Sequence, residues 1–205
     1  MAVLALKLSG PLQSWSIERS PNRRQAFTQP MPTKGGCVGL LACAQGRSRT
    51  EDISDLNALR FGVRIDKPGT KVEDYQVAKP VDDGKNTYIS EVEYLADATF
   101  VVAFESTDKE ILEQLQTDVM HPAYPLYLGR KKCVPDPYIA VGVFDGTLED
   151  VLSGDTIHPF GNDDNPPVYV ETTEHPDNFI NDLMETFDPS KRTRRMRGYK
   201  KVERA

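Results

Sequence analysis

The chain has 205 residues, longer than one small domain and shorter than two full ones. With 39% hydrophobic and 27% charged residues it has the make-up of an ordinary globular protein, which excludes disorder throughout and leaves enough apolar surface for a core. A formal net charge of −6 excludes a uniformly basic surface, so any affinity for a polyanion has to come from local clusters.

Residues 3–8 predict a first strand, with Leu4, Leu6 and Leu8 on one side, ended by Gly10-Pro11. A polar stretch rich in Pro, Arg, Asn and Gln follows as far as Pro32. Thr33 predicts the N-cap of a helix carrying Cys37, Val38, Leu40, Leu41 and Ala44, closed by Gly46. Residues 59–66 alternate cleanly as a strand: Leu59, Phe61, Val63 and Ile65 face one way, Arg60, Gly62, Arg64 and Asp66 the other. Residues 73–94, with Asp83-Gly84 near the middle, predict a hairpin whose Tyr88, Ser90, Val92 and Tyr94 share a face. Residues 99–104 are β-branched and aromatic enough for another strand. Thr107 and Glu110 predict a capping box for a helix through Ile111, Leu112 and Leu115, and residues 124–129 supply a fourth core strand.

The order β-α-β-(hairpin)-β-α-β is the split βαβ pattern of ferredoxin-like and RRM-like domains. The expected fold class is therefore α+β, with a ferredoxin-like core over residues 1–130 and a hairpin inserted at 73–94. Prolines then separate short strands such as 139–144 and 168–171, predicting a small β-rich appendage over 131–190 and a basic tail over 191–205.

Charge placement says more than the total. Residues 1–50 hold 7 Lys+Arg against 1 Asp+Glu, residues 51–190 hold 10 against 29, and residues 191–205 hold 8 against 1. Two basic ends around an acidic middle point to one polyanion-facing surface and one that avoids polyanions or meets basic partners. Alone, KRTRRMRGYKKVERA reads as a solvated tail; the second cluster, around Arg19, Arg23, Arg24 and Lys34, is what favours binding. The longest apolar run, residues 38–44, is far below the roughly 20 residues of a membrane helix, and the N-terminus carries no signal-peptide pattern. Cys37, Cys43 and Cys133 are odd in number and lack CxxC spacing, so neither a disulfide framework nor a zinc quartet is expected. A reduced, cytoplasmic protein without membrane, metal or cofactor is the expectation.

Three segments could carry chemistry. Thr33-Lys34-Gly35-Gly36 at a helix N-terminus offers close backbone approach, free N–H groups and a lysine to a phosphate, but lacks the GxxxxGK[ST] spacing of nucleotide hydrolysis; spacing alone favours a capped strand-to-helix turn. Gly129-Arg130-Lys131-Lys132 is either a backbone clamp or a solvated turn. Trp15, the only tryptophan, is a core anchor before it is a base-stacking platform. Residues 59–66 lack the aromatic pattern with which RRM domains bind RNA on their sheet face. His121, His158 and His175 each precede proline and show no metal-ligand spacing, and neither GxSxG nor HExxH occurs.

Taken together, GPLQSW (residues 10–15), PTKGGCVGLLACAQG (32–46), LRFGVRID (59–66), EYLADATFVVAF (93–104) and YLGRKKCVP (127–135) resemble the CRISPR-associated protein family five, type I-E branch. The resemblance runs from residue 4 to about 135 and thins beyond. It implies a non-catalytic subunit of the Cascade complex in antiviral defence, with a ferredoxin-like core and a projecting thumb hairpin. Such a subunit binds the 5′ handle of the CRISPR RNA, caps the filament of backbone subunits (CasC), helps seat the large subunit (CasA) and meets target DNA only indirectly. Carried onto this chain, the RNA-binding residues are Gln13, Ser14, Trp15, Arg24, Thr33, Lys34, Gly35, Gly36, Arg130 and Lys131, and the thumb residues are Tyr88 and Val92, with no catalytic and no metal residue. Two departures stand out: the family's usual Ser-Gly is Gly35-Gly36 here, and Asp82-Asp83 makes the hairpin tip acidic.

Two alternatives remain at this level. One is a CRISPR RNA-processing endoribonuclease of the type I-C kind, which uses a tyrosine, a lysine and a histidine. That branch places lysine directly before its histidine, whereas Met120 precedes His121 here and supplies neither proton nor charge. The other is a ferredoxin-like small-molecule or regulatory module, against which the two basic clusters argue.

Overall fold

The computed structural model describes residues 1–17, 25–78, 87–191 and 193–202. In chain order the elements are β1 (Ala2–Ser9), β2 (Leu12–Gln13), β3 (Gln25–Ala26), α1 (Lys34–Ala44), α2 (Ser54–Ala58), β4 (Arg60–Lys67), β5 (Thr70–Ala78), β6 (Tyr88–Ala96), β7 (Thr99–Ser106), α3 (Lys109–Met120), β8 (Ala140–Asp145), α4 (Leu148–Ser153), β9 (Val168–Glu171), β10 (Asn178–Met184) and β11 (Arg194–Val202).

Alternation along β1 and β7 builds two cores on one sheet. Leu4, Leu6, Phe100, Val102 and Phe104 point to the face covered by α1 and α3, whereas Val3, Ala5, Val101 and Ala103 point to the face covered by α4. Both strands are thus buried on both sides, as their near-continuous apolar sequences require. Among these strands the order is β4-β7-β1-β8, every neighbouring pair antiparallel, with α1 leading from β1 towards β4 and α3 from β7 towards β8. Beyond β4 the same sheet continues through β9 and β11 to β10, giving seven strands. The architecture is mixed α/β built on mainly antiparallel sheets.

A second, four-stranded sheet carries the hairpin. β5 pairs β6 from Thr70↔Ala96 to Ala78↔Tyr88, and β6 also pairs β2 and, in parallel, β3. β4 and β7 run directly into β5 and β6, so one long ribbon passes from the first sheet to the second, bending where Asp97 takes φ 55°.

The structure differs from the sequence expectation at four places. Residues 124–129 form no strand: Pro125 has no N–H to donate, and the Leu128 amide is committed to Cys133 O at 2.8 Å. The strand beside β1 is instead β8, from the segment assigned to the appendage, so the central sheet closes only at Asp145 and not by residue 130. The region 131–190 is likewise no separate appendage, because β9 pairs β4 within the main sheet. Most of the expected basic tail is β11, an interior strand between β9 and β10; its charges hide an alternation in which Arg197 points inward. At α3 the cap is Asp108 rather than Thr107, its carboxylate accepting from Glu110 N and Ile111 N.

Candidate nucleic-acid interface

The chain after β1 is threaded through the interior. Gln13 Nε2 donates to Leu8 O at 3.1 Å and to Ala98 O at 2.9 Å, while its Oε1 accepts from Trp15 Nε1 at 3.0 Å. Ser14 Oγ donates to Glu93 O at 3.0 Å, and Trp15 N donates to Thr28 Oγ1 at 2.9 Å. Gln13, Ser14 and Trp15 are all buried, so Trp15 is the core anchor and no exposed stacking platform. This bond, with Gln29 N donating to Trp15 O at 3.2 Å, fixes the flanks of the arginine-bearing segment; Arg24 itself lies outside the described residues.

Three motifs converge on this tryptophan. A Cβ placed on Gly36 would stand 3.0 Å from Trp15 Cε3, and one placed on Gly129 would stand 3.5 Å from the same atom. Gly129 has φ +80°, and its Cβ would also meet Ser14 O at 1.9 Å, so both conformation and space demand glycine there. From Gly129 a tight turn, closed by Cys133 N donating to Arg130 O at 2.8 Å, projects Arg130, Lys131 and Lys132. Arg130 is partly exposed, Lys131 is exposed, and neither makes an ion pair among the described residues.

The turn at the start of α1 has a different fate. Thr33 caps the helix as expected, its Oγ1 accepting from Gly36 N at 3.3 Å. The anion at this helix N-terminus is internal, however: Lys34 N donates to Asp182 Oδ2 at 2.8 Å, and Gly35 lets the Asp182 backbone approach to 2.5 Å of where a Cβ would be. Arg197 clamps the same carboxylate through Nε at 2.9 Å and Nη2 at 2.8 Å. Lys34 Nζ binds Glu171 Oε2 at 2.8 Å and Asn57 O at 2.9 Å, with its side chain 3% exposed. Burial lowers the Lys34 pKa, and the neighbouring Glu171 carboxylate opposes that shift. The expected phosphate contact at Lys34 is therefore corrected: the Asp182 and Glu171 carboxylates take its amide and ammonium, while the Asp182 backbone packs on Gly35, and Thr33 with Trp15 on Gly36.

The hairpin also rearranges its expected roles. Val92 is 3% exposed and packs in the main core, so it roots the hairpin and is no projecting wedge. Tyr88 is described by its backbone alone. Among the described residues the exposed large apolar side chains of the hairpin are instead Val72, Tyr75 and Val77 of β5 and Ile89 of β6, which pairs with Val77; alternation along β5 puts Tyr75 and Val77 on one face. Lys132 Nζ bridges to the hairpin, 2.7 Å from Asp74 Oδ2 and 4.6 Å from the Tyr94 ring centre. It holds the Asp74 carboxyl below the usual carboxylate range.

Sequence reasoning missed Asp182, Arg197 and Glu171, and the pairing of Lys132 with Asp74. Asp182 and Glu171 lie 148 and 137 residues from Lys34, a separation for which one sequence carries no signal. His121 is exposed at the end of α3, with Nδ1 3.3 Å from Thr117 O. Among the described residues no three His, Cys, Asp or Glu side chains are grouped as a metal site, and no helix is long and apolar enough to cross a membrane.

The sequence model of the family described as CRISPR-associated protein (Cas_Cas5) matches residues 3–199. The CRISPR system Cascade subunit CasD of Escherichia coli (strain K12) is 33% identical over 150 residues, which are 63% of this chain and 66% of that protein. The chain thus spans just under two thirds of the length of that relative. A chain of the solved "CRISPR RNA-guided surveillance complex" superposes with a TM-score of 0.78 at 27% identity, covering 98% of this chain and 89% of that one. The "Crystal structure of Cas protein" superposes with a TM-score of 0.74 at 34% identity, covering 98% and 93%. With the motifs around Trp15 in place and the family match running from the first strand into the last, the chain belongs to the CRISPR-associated Cas5 family.

Proposed function

We propose that the chain is a non-catalytic Cascade subunit that binds the 5′ handle of the CRISPR RNA, caps the filament of CasC backbone subunits and helps seat the CasA large subunit. On this account β4, β7, β1 and β8 with α1 and α3 form a ferredoxin-like core, and the β5–β6 hairpin is the thumb that ends the filament. The observation that carries the RNA-binding part is the convergence of GPLQSW, the start of α1 and the GRKK turn on Trp15, beside a turn whose Arg130 and Lys131 have no carboxylate partner among the described residues. Single-stranded RNA gains most from unpaired cations that follow its backbone.

The residues then divide their work. Arg130 and Lys131, with Arg24 from the flanking segment, contact phosphates. Gln13, Ser14, Trp15, Thr33, Gly35 and Gly36 hold that surface in shape, and Lys34 locks α1 to the C-terminal strands. Target DNA is met only through the assembled complex. No catalytic role falls to His121, since its neighbour Met120 has no proton to move.

The test is a binding and cleavage assay with the purified chain. It should shift RNA containing the host repeat's 5′ handle more than a scrambled RNA of equal length, and leave that RNA intact with or without divalent metal. Cutting at one repeat position, abolished by His121→Ala, would refute the non-catalytic assignment. Equal affinity for handle and scrambled RNA would refute handle recognition.

A further inference from the structure

The three cations of the GRKK turn are not equivalent. Arg130 and Lys131 lack ion pairs among the described residues, whereas Lys132 is engaged by Asp74 of β5 at 2.7 Å and stacks on Tyr94 of β6 at 4.6 Å. Both partners of the pair are about half exposed, 47% for Lys132 and 44% for Asp74, so water and a competing anion can reach them. An ion pair that exposed holds weakly, and a phosphate offers the same ammonium several acceptor oxygens in place of one carboxylate.

We infer that Lys132 is a masked RNA contact, the third of the GRKK turn, shared between Asp74 in the free protein and an RNA phosphate in the complex. This rests on the RNA-binding function proposed above. The ammonium carries one charge, and while Asp74 neutralises it a phosphate gains little from it; a phosphate takes it over by displacing the carboxylate. Because Asp74 belongs to β5, taking over Lys132 also breaks the ion pair between the turn and the hairpin, leaving the Tyr94 ring as the remaining contact of Lys132 there. RNA binding and hairpin freedom are thereby coupled through one lysine. Asp74 keeps a second contact after release, accepting from Gln76 Nε2 at 2.7 Å, so the carboxylate is not stranded.

The coupling is read by a double-mutant cycle on RNA affinity, using the full chain and a fluorescein-labelled single-stranded RNA of the host repeat's 5′ handle. Asp74→Asn should tighten binding by roughly two- to five-fold, the range set by freeing one exposed ion pair. In a Lys132→Gln background the same substitution should change affinity by less than the scatter between replicates. Glu73→Gln, the exposed neighbour of Asp74 on the same strand, controls for the general loss of negative charge and should give the smaller gain.

An equal gain from Glu73→Gln, a gain that survives Lys132→Gln, or no gain from Asp74→Asn would each overturn the masking. If the wild-type chain binds no RNA at all, the functional proposal falls and takes this inference with it. A wild-type chain that binds RNA while Asp74→Asn is neutral removes the inference alone.

Discussion

Replacing Arg197 by methionine should unfold more of this protein's stability than any charge change in the preceding basic stretch. Asp182 is 1% and Arg197 5% exposed, and the arginine contacts both carboxylate oxygens. Methionine keeps the aliphatic stem but leaves Asp182 buried with the Lys34 amide as its remaining hydrogen-bond donor of that cluster. Stranding one partner of a buried pair costs about 3–5 kcal/mol. For a chain of this size each kcal/mol moves Tm by about 2–4 °C, so the expected fall is about 6–20 °C. The guanidinium's position over the Phe61 ring, 5.3 Å from its centre, adds to the loss. Thermal melting followed by circular dichroism measures this, with Arg195→Met as the control: its pair with Glu185 is 72% and 33% exposed, and its loss should stay within about 0.5 kcal/mol. The double variant Asp182→Asn/Arg197→Met should recover part of the loss, because no buried charge is stranded. Equal, small effects of Arg197→Met and Arg195→Met would mean that residues 191–205 behave as a solvated tail, and the interior placement of β11 would be wrong.

Other perturbations probe the remaining parts. Burial lowers the Lys34 pKa in the fold, so the unfolded chain binds more protons between that lowered value and the ordinary lysine range. The stability of wild type relative to Lys34→Met should therefore rise as the pH climbs from neutral towards the ordinary lysine range, and a gap that stays flat or narrows in urea melts would contradict it. Gly129→Ala and Gly129→Asn should both destabilise and weaken RNA binding, since asparagine relieves the positive φ but not the 1.9 Å approach to Ser14 O; a tolerated asparagine would show that only the backbone angle matters. Val92→Ala should cost about 1–2 kcal/mol as a buried truncation, whereas Tyr75→Ala, 60% exposed, should leave stability within about 0.5 kcal/mol yet impair Cascade assembly. Replacing residues 76–90 by a Gly-Ser link, which spares the Val92 root, should leave a folded core and incomplete complexes by native mass spectrometry; normal assembly would remove the hairpin from the filament cap.

Strands and caps that local pattern determines were legible in the sequence. The alternation of β4, the β-branched run of β7 and the Thr33 cap of α1 each depend on residues a few positions apart, and each stands where expected. The edge strand β8 was visible as a strand but not as a neighbour of β1, because pairing across 137 to 143 residues (Ala5↔Gly142 to Ala2↔Asp145) leaves no local mark. β11 was hidden for another reason. Six of its nine residues are charged or glycine, and only the partner Asp182 makes Arg197 an interior residue. The same partner explains the turn at Lys34: glycines, a lysine and a helix N-terminus do describe an anion site, and the anion is the protein's own carboxylate. The GRKK turn was read with its basic charge intact, and what sequence could not supply was Asp74, 58 residues away, on the third cation.

Salt dependence of RNA binding is the measurement that reaches the central claim most directly. Each phosphate contact on a single strand contributes about 0.7 to the slope of log K against log salt concentration. Fluorescence anisotropy with the 5′ handle RNA should show that Arg130→Gln/Lys131→Gln lowers the slope by about 1.4 and weakens binding, while the Tm stays within about 1 °C of wild type. An unchanged slope and affinity in that double variant would contradict the placement of the RNA on the surface gathered around Trp15.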